Sequence, residues 1–384
     1  MSAHETPAPT RERVLAAIDK PIPPRIKQAF LAMFVAGFAV FTYGAVRGNG
    51  RAWQAFQVNW LFFTIIASAA VMFVAVQRIV TARWSRSVIR IMEGYAAFLP
   101  FAFVSLLLMI FVGNEYVYTW WDLPGTGELN SAKDLYFGHT FFWARSIGVM
   151  GALTILQLWY VWTSVRLDVG VSPEGGAPWA AGIRAAMRRG FGDERRELHT
   201  THSRQGVMAV FMALLFGFGW CVLAWDQSMS LDYTFFSTMY GWLEFMGGWL
   251  VALMVFSGLV RWFNQHLGAS DLITEKQYHD IGKPCFGFTA FWGFFAACSF
   301  TGLWLVRYTE VYPSIYGPMA RGGLPLGKWE LALFTGFLGA FGWLYAQFMD
   351  GFPKMRVFLM TSPYRDEVQV PCDPRTMEPL PAHE

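Results

Sequence analysis

Apolar residues run along this chain in long blocks separated by shorter polar segments. Eight blocks, near residues 26–46, 58–80, 91–112, 138–165, 205–225, 236–260, 285–307 and 329–349, are each long enough to matter physically. About 20 apolar residues in a helix cross about 30 Å of hydrocarbon. The pattern therefore predicts an all-α, polytopic membrane protein with about eight transmembrane helices. A polar N-terminus (1–25) precedes a transmembrane domain (26–360), and an extended tail (361–384) follows it. The longest connection, 166–204, holds a turn-rich stretch at 171–178 and then a basic segment, 179–190, suited to a short amphipathic helix. That helix reads either as a docking element for a partner or anionic lipid, or as an interfacial loop.

Charge placement orients the pattern. Of 30 Lys and Arg residues, 23 fall on one side of the eight blocks, six on the other, and Arg145 inside one of them. Basic residues accumulate on the cytoplasmic side, so both termini are predicted to be cytoplasmic (N-in, C-in), which an even number of crossings satisfies. Composition agrees, with 54% hydrophobic and only 15% charged residues, where soluble domains carry about 25% charged. Trp120, Trp121, Trp225, Trp262 and Trp329 stand near block ends, as expected of rings at the headgroup level. The basic connection is accounted for by topology, and no nucleic-acid partner is expected. Polar residues 1–24 lack the apolar core of a cleavable signal peptide.

Ionisable groups at membrane depth are costly, so each is a candidate for function. Arg145 lies one to two turns inside the fourth block and Glu244 about two turns inside the sixth. Their depths, each roughly 10–12 Å at 1.5 Å per residue, predict that they pair, as part of a proton path or as a structural ion pair. Glu93 follows Arg90 by three residues, a spacing that reads as a surface salt bridge; Glu93 is also the one carboxylate at that end of the third block. Asp226 and Asp232 flank a short turn, where either can cap the next helix or form a polar pocket with Ser228, Ser230 and Ser237. His139 opens the fourth block as a lone histidine at its edge. The candidate proton path is thus Glu93, His139, Arg145, Asp226, Asp232 and Glu244, with no catalytic residue and no metal site. On the far side, the acidic and aromatic segment 113–136 suits a periplasmic partner protein or an ordinary solvated loop.

His139 is the only histidine near a block's apolar body, which leaves bis-histidine haem, copper and di-iron sites without a ligand set. Cys221, Cys285, Cys298 and Cys372 have no paired spacing. No phosphate-binding glycine loop and no hydrolase triad are present. A secondary transporter or channel remains the alternative, although such folds favour paired helix interruptions and Pro100 is the one proline inside a block. An intramembrane enzyme lacks a nucleophile set.

The run 224–241, AWDQSMSLDYTFFSTMYG, resembles a signature of the F-type membrane subunit of bacterial alternative complex III, a quinol:electron-acceptor oxidoreductase. That subunit is related to polysulfide-reductase-type (NrfD-like) membrane subunits. The stretches DIGKP at 280–284 and FTAFW at 288–292 are similar to a second family segment. Weaker similarity extends over 83–93, 141–145 and the tail at 370–375. The family pattern has more spans than the eight read here, and it places Trp after the first Asp where this chain has Trp225 before Asp226. The resemblance implies a subunit of an oxidoreductase complex without a redox centre of its own, in the bacterial inner (cytoplasmic) membrane. Quinol or quinone and haem or iron–sulfur clusters would belong to partners: another NrfD-like subunit, c-type cytochrome and iron–sulfur subunits. Anchoring those partners, and conducting protons, would be its work.

The topology has a direct test. Reporter tags fused to the two ends are expected to respond from the same compartment; opposite compartments would require an odd number of crossings.

Overall fold

The computed structural model describes residues 9–18, 20–234, 240–295 (backbone alone at 291–295) and 327–364. Helices account for its regular structure, with no strand among the described residues. In chain order they are α1 (Arg11–Ile18), α2 (Pro24–Val46), α3 (Gly50–Ile79), α4 (Ile89–Glu93), α5 (Leu99–Phe111), α6 (Asn114–Val117), α7 (Ser131–Phe137), α8 (His139–Val171), α9 (Ala181–Arg188), α10 (Glu194–Gln227), α11 (Tyr240–Leu267), α12 (Glu275–Phe295), α13 (Lys328–Gly351) and α14 (Val357–Thr361). Seven helical stretches among the described residues are long and apolar enough to cross a membrane: α2, α3, α4 through α5, α8, α10, α11 and α13. The chain is an all-α polytopic membrane protein. The seventh predicted block begins within α12, but most of it lies outside the described residues, as do residues 236–239 of the sixth and the tail from 365.

Helix lengths depart from the apolar blocks at their ends. α3 starts eight residues before its block, α8 runs on to Val171, and α10 begins at Glu194. The predicted 166–204 connection is therefore helical at both ends, which also puts His199 and His202 in α10 rather than in a loop. Hydropathy reads the hydrocarbon, whereas a helix continues into water as long as its ends are capped. Asn49 accepts from the Arg51 amide at the start of α3, and Asp193 from the Arg196 amide at the start of α10.

α3 is apolar on every side and buried along nearly its whole length, which is the pattern of a central helix. The others pack around it. Trp60 of α3 donates its indole N–H to the Ala102 carbonyl of α5 (2.7 Å). The third crossing is not one continuous α-helix: Gly94–Phe98 is a 3-10 stretch between α4 and α5. Pro100, in the first turn of α5, has no amide to donate to the preceding turn, and the tighter winding accommodates it. Beside that change of winding the Ile91 carbonyl accepts from the Tyr345 hydroxyl of α13 (3.0 Å).

α2 and α13 cross at very close range. A Cβ on Gly37 would lie 2.3 Å from the Gly336 Cα, and one on Gly339 2.3 Å from the Phe34 amide nitrogen. Small residues allow such an approach between membrane helices. Lys27 of α2 reaches Asp350 (2.6 Å) at one end of this unit, and at the other end of α13 Glu330 meets Arg51 of α3 (2.6 Å).

The aromatic rings divide differently from the expectation at the headgroup level. Trp120 is fully buried, and Trp121 and Trp329 nearly so. Trp120 packs on Phe137 and Phe142 at 4.7 and 5.1 Å, so Val117, Tyr118, Trp120 and Trp121 of the 113–136 segment turn inward, while 125–128, 130–132 and 135 are exposed. Trp159, Trp162 and Trp242 are the exposed tryptophans among the described residues of the long helices.

Replacing Gly339 by leucine is expected to destabilise the α2–α13 contact by about 3 kcal/mol, the upper part of the overpacking range. Thermal unfolding in detergent would measure it; an unchanged midpoint would show that the crossing is not rigid.

Candidate functional site

Ionisable side chains gather at the two ends of α8. Near its start, Arg145 donates from Nε and Nη2 to both oxygens of Asp226, at 2.8 and 2.6 Å. Asp226 sits in the last turn of α10 and is fully buried. Two hydroxyls complete its shell: Tyr136 donates to one oxygen and Ser146 to the other, each at 2.9 Å. The guanidinium lies 3.9 Å over the Tyr136 ring and 4.6 Å over Phe141, so its faces are covered by π-electrons. The next residue, Gln227, accepts from the Tyr118 hydroxyl (2.7 Å) and donates to Ser146 Oγ (3.2 Å), while Gln57 of α3 donates to its carbonyl. Burial, followed by the charge of Asp226, raises Tyr118 and Tyr136 above the ordinary phenol range. Both therefore serve as neutral hydroxyl donors.

At the other end, Arg90 bridges two carboxylates, Glu93 and Asp168. Arg356, from the turn after α13, approaches Glu93 at 3.3 Å. Ser164 donates to Glu93 (2.7 Å), and the Phe358 amide donates to Asp168 (2.9 Å). Arg90, Glu93 and Asp168 are fully buried and Arg356 nearly so. Two cations and two carboxylates make a set with no formal net charge, the condition under which buried charges are tolerable. A cavity of about 50 Å³ adjoins it, lined by Arg78, Tyr160, His202, Gln205 and Arg356 among others. It has room for a few waters with polar partners.

Between the clusters, α8 carries polar residues on one buried stripe: Ser146, Thr154, Gln157, Tyr160, Ser164 and Asp168. Gln157 donates to the Ser68 hydroxyl and carbonyl of α3 (2.9 and 3.0 Å), and the Trp220 indole of α10 donates to the same hydroxyl (2.9 Å). Gln205 donates to Thr163 (3.1 Å). From Ser146 to Asp168 the helix rises about 33 Å, close to the thickness of the hydrocarbon. One neutralised cluster therefore stands at each face.

The predicted residues divide accordingly. Arg145 does not pair with Glu244; Asp226 accepts along its Nε–Nη2 edge and the Tyr136 carbonyl accepts from Nη1 and Nη2 (3.3 and 3.4 Å), because the end of α10 packs against the start of α8. Glu244 is fully buried on α11. Asp226 is an interior ligand of Arg145, not a helix cap. Asp232 accepts from the amide and hydroxyl of Thr234 (3.0 and 2.5 Å), a local turn separate from Asp226. His139 stacks on Trp121 at 4.0 Å and hydrogen-bonds its carbonyl at 2.9 Å. The Arg90–Glu93 pair is not on the surface: the helix turn that carries it is covered by α8 and the 356–358 segment.

Asp168 and Arg356 did not emerge from the apolar blocks, because both stand just beyond block ends. The 3–4 spacing of polar residues from Thr154 to Asp168 on α8 was the available signal for Asp168. Among the described residues, no three His, Cys, Asp or Glu side chains gather to hold a metal ion. Comparison with protein-family models gives no match, and comparison with curated proteins gives none.

Asp226→Asn leaves the Arg145 guanidinium without its counter-ion. The expected loss is about 3 kcal/mol, measured by unfolding in detergent; a loss below about 0.5 kcal/mol would show that the pair contributes little.

Proposed function

We propose that this chain is a membrane subunit of a quinol-linked electron-transfer complex, without a redox centre of its own, that anchors its partners and passes protons between the two faces of the bacterial inner membrane. The arrangement on α8 carries the reading: two neutralised ionic clusters about one bilayer thickness apart, with the buried hydroxyl and amide side chains of Thr154, Gln157, Tyr160 and Ser164 between them. Intramembrane ionisable groups of this kind mark proton relays. The resemblance of residues 224–241 to the alternative complex III subunit supports the same reading, since Asp226 and Gln227 of that run belong to one cluster. Partners would be a second NrfD-like subunit, a c-type cytochrome and iron–sulfur proteins.

In this mechanism Asp226 and Glu93 are the sites that take up and release a proton while Arg145, Arg90 and Arg356 hold the local charge near balance. Hydroxyls of Ser146, Ser68, Tyr160 and Ser164 hand the proton on, with water in the cavity beside Arg356. Gln157 and Gln227 orient those hydroxyls.

Purification in mild detergent is expected to bring haem-bearing and iron–sulfur subunits with this chain; a stable solitary protein would favour an independent transporter. Within such a complex reconstituted in vesicles, Gln157→Leu breaks the stripe without removing a charge. Proton release per electron is expected to fall while quinol oxidation continues. An unchanged ratio would remove the α8 stripe from the mechanism.

A further inference from the structure

A separate cavity of about 750 Å³ opens between α1, the 172–178 turn, α9 and the end of α13. Its size falls within the range of small-molecule sites. Four cations line it, Lys27, Arg184, Arg188 and Lys354, against two carboxylates, Asp350 and Glu174. Glu174 is almost wholly exposed, and its 3.4 Å approach to Arg188 is at the edge of contact. Arg184 and Arg188 stand one helical turn apart, a like-charge spacing that destabilises a helix unless something compensates. Backbone carbonyls meet part of the need: Arg184 donates to Ala177 and Gly351, and Arg188 to Val169, Ser172 and Pro173. Neutral carbonyls leave the positive charge in place. Burial, then the neighbouring Arg188, lowers the Arg184 pKa, with Glu174 opposing the shift. The Ser172 hydroxyl, also in the lining, is buried without a hydrogen-bond partner among the described residues.

We propose that this cavity binds a phosphate-bearing anion, with Arg184 and Arg188 as its donors. The location suits the headgroup of an acidic phospholipid. Lys27 lies in the first turn of α2 and Asp350 in the last turn of α13, so the cavity sits where two crossings leave the membrane. Trp179 and Ile183 are exposed beside it, as on helices that lie in the headgroup layer. Basic pockets between transmembrane helices hold such headgroups. A free phosphate compound offers the same chemistry. The site does not depend on proton conduction.

The full chain in nanodiscs of phosphatidylcholine, with and without phosphatidylglycerol, supplies the test by native mass spectrometry, and inorganic phosphate in detergent supplies the second arm. Retention of phosphatidylglycerol over phosphatidylcholine assigns a lipid headgroup; binding of inorganic phosphate above chloride assigns a free anion; either supports the site. Arg184→Gln with Arg188→Gln is expected to weaken binding about thirtyfold, from the contribution of two cations near a membrane surface. Ala16→Trp fills the cavity from α1 without changing charge and is expected to weaken binding similarly. If neither probe is preferred by the unaltered chain, or if both variants bind as tightly as it does, the proposal is overturned.

Discussion

A lone carboxylate or guanidinium within a bundle that displaces water costs several kcal/mol, and a partner of opposite charge with good hydrogen bonds is what offsets it. That constraint organises this protein. Arg145 and Asp226 tie the start of α8 to the end of α10. Arg90, Glu93, Asp168 and Arg356 tie α4, α8 and the turn after α13 into one neutral set. Asp350 draws in α2 through Lys27 and accepts from the Ile22 amide ahead of it. Apart from Arg90–Glu93, each of these contacts joins residues far apart in the chain, so the helices are tied at both ends of the bundle by charge and between them by packing.

Packing inside hydrocarbon has no hydrophobic drive between helices, because lipid is as apolar as leucine. The structure relies on two other devices. Glycines let α2 and α13 approach to backbone contact. Buried polar side chains on α3, α8 and α10 satisfy one another around Ser68, where Gln157 and Trp220 converge. The same side chains that hold three helices together stand between the two ionic clusters, on the stripe to which the proposed conduction is assigned.

Much of this was legible in the sequence. Apolar block length gives the helices, and the rarity of intramembrane charge singles out Glu93, Arg145, Asp226 and Glu244. Partner choice was not legible. Depth alone pairs Arg145 with Glu244, since both are about the same distance from one face, but depth says nothing about azimuth around the bundle, and the end of α10 is the surface that α8 meets. Asp168 and Arg356 escaped for a different reason. Hydropathy stops where the first charges begin, while α8 and its burial continue for another turn through Asp168, and the turn after α13 that carries Arg356 is buried as well. Arg90 and Glu93 have the spacing of a surface pair, and only the cover supplied by α8 and residues 356–358 makes them interior.

The claim that buried charge survives here only as a neutral set is tested most directly by a double-mutant cycle on Arg90 and Asp168, using Arg90→Met, Asp168→Leu and the pair, with unfolding free energy in detergent as the readout. Each single change strands a buried charge, so the account predicts that the double variant loses less than the two singles summed, with a coupling of about 2–3 kcal/mol. Losses that add to within about 0.5 kcal/mol would contradict it.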